Sequence, residues 1–170
     1  MGDQGSDGKI LDIKMADLKK TAPRFQTHSL VASTFKYRFR SPLGGLAADL
    51  TADFLSPDQS HHTTMQVGQK IHLALPDGTH WRDAAWLSFG LSVHAPDLMQ
   101  KHPEGLVVNI TSLTYPVAHF RSEVAALAMD GWLKNELGVP DRGLQVTFDK
   151  EADRYDFTWG DLTNPFGDDL

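Results

Sequence analysis

The run from Val124 to Leu133 constrains this chain more than any other stretch, because it is apolar nearly all the way round a helix. Val124, Ala125, Ala126, Leu127, Ala128, Met129, Gly131, Trp132 and Leu133 leave Asp130 as its one polar residue. A helix without a wetted face is either buried on more than one side or covered by a partner. The pattern predicts a helix over about 120–137, with Ser122 and Glu123 near its start and Gly138 and Pro140 stopping it.

Around that helix the periodicity is two. Val31, Phe35, Tyr37 and Phe39 share one parity while Lys36, Arg38 and Arg40 take the other, as a half-exposed strand requires. Pro42 to Gly45 read as a turn. Ala48, Leu50, Ala52 and Phe54 then alternate with Asp49, Thr51 and Asp53, which predicts a second strand; a helix built on Leu46, Leu50 and Phe54 is the competing reading. A four-residue loop would set Arg38 opposite Asp49, Lys36 opposite Thr51 and Tyr37 opposite Leu50.

Met65, Val67, Ile71, Leu73 and Leu75 predict one strand running to the turn Pro76-Asp77-Gly78. Trp81, Ala85, Leu87, Phe89, Leu91 and Val93 predict its return, with Trp86, Ser88, Gly90, Ser92 and His94 on the other face. The stretch from His94 to Gly105 reads as a connection, and Leu106, Val108 and Ile110 as a strand running towards Tyr115. Leu144, Val146 and Phe148 face Tyr155, Phe157 and Trp159 across a closing hairpin. Near the start, Ile10 to Ile13 suggest a short strand and Met15 to Lys20 a helical turn or two. The expected fold is α+β: a mostly antiparallel curved sheet of about seven strands packed on one major apolar helix. Residues 1–9 are expected to form a disordered tail, 10–163 a single domain and 164–170 a frayed end.

Length and charge narrow the function classes. At 170 residues one proper core is affordable without staples. Zero cysteine removes disulfides, thiol nucleophiles and thiolate metal sites. A net charge of −6 argues against nucleic acid as a partner. The first residues lack the basic-then-apolar order of a secretory signal, and no segment approaches a membrane span, so a soluble cytoplasmic protein without membrane contact is expected.

The run VVNITSLTYPVAHFRSEVAALAM, from Val107 to Met129, resembles the strand, tyrosine turn, Ser-Glu pair and apolar helix of domain IV in translational GTPases of the elongation factor G type. The likeness depends on Tyr115, Ser122 and Glu123, with one extra residue between tyrosine and serine. Nothing upstream matches. It implies a strand followed by a helix, and no function.

No catalytic motif stands out. His61 and His62 are adjacent and would need distant help to chelate, while His119 and Glu123 share a helical face without the second histidine of a zincin; no metal and no cofactor are expected. The stripe Lys36, Arg38, Arg40 reads as a solvated face neutralised by Asp49 and Asp53, and those two carboxylates as ordinary strand charges. No GxSxG elbow surrounds Ser88 or Ser92, and the Gly44-Gly45 pair lacks a Walker lysine.

Two functions follow. The first is a small binding protein of the immunity, inhibitor or assembly-accessory type, acting through a protein partner or self-association, with Met129, Trp132, Tyr155 and Trp159 as contact side chains. The second is a small-molecule binder or enzyme whose helix–sheet cavity gathers His94, His119, Tyr115 and Ser92, with a histidine as general base.

Overall fold

The computed structural model describes residues 31–59, 64–116, 119–163, 165 and 166. The strand and helical turns expected within residues 10–20, the tail at 1–9, most of the frayed end and the His61-His62 pair lie outside the described residues.

The chain is α+β. A five-stranded sheet has the order β1-β2-β5-β4-β3, formed by β1 (Ser33–Phe39), β2 (Leu46–Leu55), β3 (Thr64–Gly68), β4 (Ile71–Ala74) and β5 (Leu106–Thr114). A separate two-stranded sheet pairs β6 (Leu144–Asp149) with β7 (Arg154–Trp159). Three helices complete it: α1 (Trp81–Ser92), α2 (Ala95–Lys101) and α3 (Val124–Leu137). The seven strands therefore divide into two sheets, and the single helix of the expected layout becomes three. No described helix is long and apolar enough to cross a membrane.

The segment 46–55 is strand, and its parity is as predicted. Its register is displaced by two residues: Lys36 faces Asp49, Tyr37 faces Ala48 and Phe35 faces Leu50. A shift of two keeps every side chain on its own side of the sheet, so alternation cannot detect it. The expected charge pair survives on the diagonal, with Arg38 Nη1 2.6 Å from Asp49 Oδ1, close enough for an ion pair although not aligned as a hydrogen bond.

Two other expectations are corrected. The strand predicted from Met65 to Leu75 is a tight hairpin, β3 turning into β4 through Gln69 and Lys70, with Lys70 in the left-handed region at φ 55°. The strand predicted over 81–93 is the helix α1, and the connection after His94 contains α2. α1 mimics a strand because it is buried on adjacent faces: Leu87 and Leu91 stack four residues apart, while Phe89 and Gly90 fill the sides between them. His80 caps its start, its Nδ1 accepting from the Arg82 N–H at 3.2 Å. The segment then returns to β5, parallel to β4, as a crossover of the β-α-β kind.

α3 has its circumference covered along its first turns, with Asn135 and Glu136 exposed near its end. Its residues Val124 to Asp130 are buried, as are Trp132 and Leu133. Phe54 packs its ring on Trp132 at 4.6 Å, and the indole N–H of Trp132 donates to Ser33 Oγ at 2.8 Å. The Phe35 ring lies directly over Gly131, in the space a side chain there would fill. On the opposite side Gly90 of α1 rests on the backbone of Ala126. β6 and β7 close the end of this layer: Trp159 stacks on Trp86 at 4.9 Å, and Tyr155 shares a 2.6 Å hydrogen bond with Ser41. The strand and helix implied by the likeness at 107–129 are present as β5 and α3.

Candidate functional site

Met129 and Trp132 are fully buried, and Tyr155 and Trp159 nearly so. The apolar perimeter that called for a cover is covered from within the chain. None of these four side chains stands on the surface for a partner to grasp.

His94, His119, Tyr115 and Ser92 lie in separate settings. His94 is entirely buried at the junction of α1 and α2, with Nε2 2.8 Å from Asp130 Oδ1. The second Asp130 oxygen is 2.8 Å from Lys134 Nζ, which also reaches Asp141 at 2.7 Å. Burial lowers the Lys134 ammonium, yet its hydrogen bonds to Asp130 and Asp141 and their charges outweigh this and hold it above its ordinary range. Asp97 lies 4.0 Å from His94 Nδ1 and is held by Arg142 at 2.6 Å. This network ties α1, α2 and α3 to the segment after α3, and His94 has no exposed surface with which to meet a substrate. His119 is exposed, its backbone N–H donating to the Gly45 carbonyl. Ser92 Oγ donates to the Phe89 carbonyl at 2.7 Å. No hydrogen bond, ion pair or ring contact joins any two of these four residues.

Tyr115 belongs to a different site. Its hydroxyl donates to Asp83 Oδ1 at 2.6 Å, and Asp83 stands on the first turn of α1. Burial, then the hydrogen bond to Asp83, then the charges of Asp83 and Glu123 push the phenol far above its ordinary range, so Tyr115 stays a donor. Asp83 opens onto a cleft of about 370 Å³. One wall is the loop from Pro76 to His80, the other Ile110, Ser112 and Leu113 of β5, with Leu87 behind.

Topology places the cleft. β4 ends at Ala74, paired with Asn109, whereas β5 runs on to Thr114 with β2 on its other side. Along 110–114 the edge of β5 turned away from β2 has no strand beside it among the described residues. The opening therefore lies beyond the carboxyl end of β4, where chain leaves a parallel strand for its helix and ligands commonly lodge.

Aromatic rings lie next to its lining residues. Phe120 packs at 4.7 Å on Tyr115, the partner of Asp83, and Trp81 stacks on His80 at 5.9 Å, with the Arg82 guanidinium over the indole at 5.3 Å. Trp81 is 68% exposed and Phe120 61%. Sequence reasoning missed Asp83 and Trp81 because it read 81–93 as a strand, and Phe120 because it began the apolar helix there, whereas α3 starts at Val124 and leaves Phe120 exposed. The available signal was His80 followed by Asp83, a cap and a first-turn acid of the kind that opens a helix.

Among the described residues no group of histidine, aspartate and glutamate side chains is arranged to hold a metal ion. Compared with protein-family models, with curated proteins and with solved structures, the chain matches none.

Proposed function

We propose that the chain is a small α+β binding protein, of the immunity, inhibitor or assembly-accessory kind, that engages a macromolecular partner at the cleft beside α1. One observation carries the reading. Trp81, stacked on the cleft residue His80, and Phe120, packed on the Tyr115 that bonds the cleft residue Asp83, keep large apolar rings in water next to a polar cleft, while Trp132, Tyr155 and Trp159 are packed inside. Exposed aromatic side chains bordering polar groups are the usual energetic centres of protein contacts.

The test compares the wild-type chain with the double variant Trp81→Ala, Phe120→Ala. Both side chains are largely solvated, so stability should change by no more than about 0.5 kcal/mol for each. Proteins co-purifying from the native source with the wild type should be lost with the variant, since truncating a hot-spot ring costs about 2 kcal/mol or more, roughly thirtyfold in affinity. Light scattering on the same samples separates self-association from capture of another protein. Equal recovery of the same proteins by both folded chains, with no difference in self-association, would overturn the reading.

A further inference from the structure

The cleft also carries information about the shape and charge of what enters it, on the premise that it is the contact site proposed above. A strand edge without a neighbour presents its N–H and C=O groups in a row, and an extended peptide satisfies them by adding as one more strand. β5 offers such an edge along 110–114, in the position β4 would occupy were it longer. The space beside this edge is open, because the cleft is lined by Ile110, Ser112 and Leu113. Among the described residues, no backbone–backbone hydrogen bond from the surrounding turns and loops closes on residues 110–114.

Charge supplies the second constraint. The lining contains two carboxylates, Asp77 and Asp83, and no lysine or arginine. Asp83 has one oxygen, Oδ1, held by Tyr115, and this restrains the carboxylate while no hydrogen bond or ion pair reaches Oδ2 among the described residues. A planar acceptor oriented in this way suits an ammonium or guanidinium group. The rings of Tyr115 and Phe120 beside it suit the aliphatic stem of the same side chain.

We infer that the cleft receives an extended peptide segment of a protein partner, which pairs its backbone with β5 along 110–114 and sets a lysine or arginine against Asp83. Two features of the partner follow: a stretch free to extend, and a basic residue flanked by apolar ones, matching the alternation of a strand.

The probe is a random octapeptide library selected on the intact wild-type chain, and the variant is Asp83→Asn, which retains the acceptor for Tyr115 and removes the charge. Selected peptides should be enriched in lysine or arginine at one position. They should bind Asp83→Asn about tenfold more weakly or worse, the size expected for loss of a charge-assisted hydrogen bond. Amide hydrogen exchange within 110–114 should slow when such a peptide is bound. Peptides without basic enrichment, no selectable peptide at all, or undiminished affinity for Asp83→Asn overturns this inference, as does exchange at 110–114 unchanged by a bound peptide. The broader reading has its own arm. If native partners are lost with Trp81→Ala, Phe120→Ala but retained by Asp83→Asn, the contact site stands and the strand-and-cation account falls. Retention by both variants removes the two together.

Discussion

A methyl group added at Gly90 would lie 2.7 Å from the carbonyl oxygen of Ala126 and 3.0 Å from its Cα. Those atoms belong to the backbone of α3 and cannot swing aside as a side-chain tip can. Replacing glycine by alanine inside a helix ordinarily gains about 1 kcal/mol. Here the overlap, worth about 1–3 kcal/mol in a well-packed core, opposes that gain. Gly90→Ala should therefore lower the urea midpoint and Gly90→Val lower it further. A raised midpoint for the alanine variant would mean that α1 and α3 have room to part. Ser88 and Ser92, small residues in the same helix, differ in kind: each hydroxyl bonds a carbonyl within its own helix.

At the level of elements, the β6–β7 hairpin is fastened to the β1–β2 connection through a single polar contact. Ser41 Oγ accepts from the Leu43 and Gly45 N–H groups and shares a 2.6 Å bond with the Tyr155 hydroxyl. Tyr155→Phe removes that bond and keeps the ring on Phe39 and Phe148. Loss of about 1 kcal/mol is expected, with faster amide exchange around 41–45. The pairing of β6 with β7 was legible in the sequence, since large residues alternate in phase on both sides of a short turn. β2 and β5 were legible for the same reason, each alternating with a period of two, and α3 from the length of its unbroken apolar run and the Gly138 and Pro140 that stop it. α1 was not, because burial on more than one side replaces the 3.6-residue stripe with an accidental alternation at Leu87, Phe89 and Leu91. The candidate cleft went unseen with it: Asp83 and Tyr115 are far apart in the chain, and no spacing rule joins a helix's first turn to the end of a strand. The β3–β4 turn was missed because Gln69 and Lys70 are not turn-forming types, and Lys70 adopts a positive φ that usually belongs to glycine or asparagine.

Across the whole molecule, one hydrophobic cluster runs from β2 through both long helices to Trp159, so the two sheets should unfold together. Two half-buried phenols weaken it at alkaline pH. Burial, reinforced by the Asp130 charge, raises Tyr37 from the ordinary 10.0 to about 12, and Tyr115 is raised further still. A phenol whose folded pKa lies above its unfolded value binds its proton more tightly in the folded state. Its contribution is complete below pH 10.0 and declines as the pH climbs towards about 12 for Tyr37, with Tyr115 extending the loss upward. Thermal unfolding followed from pH 9 upward should show a falling midpoint in that window, and Tyr37→Phe should make the fall shallower. A flat profile from pH 10.0 to 12 would contradict the burial of Tyr37 beside Asp130.

The stacking of Trp86 on Trp159 brings early and late parts of the chain together. A ribosome emits α1 well before β7, so during synthesis the aromatic flank of α1, Trp86 and Phe89, stays bare while α3 and the hairpin are still being made. Exposed nascent surfaces of this sort invite chaperones and aggregation. Yield in the cell should accordingly respond to translation speed over the last strands, even for codon changes that leave every residue the same.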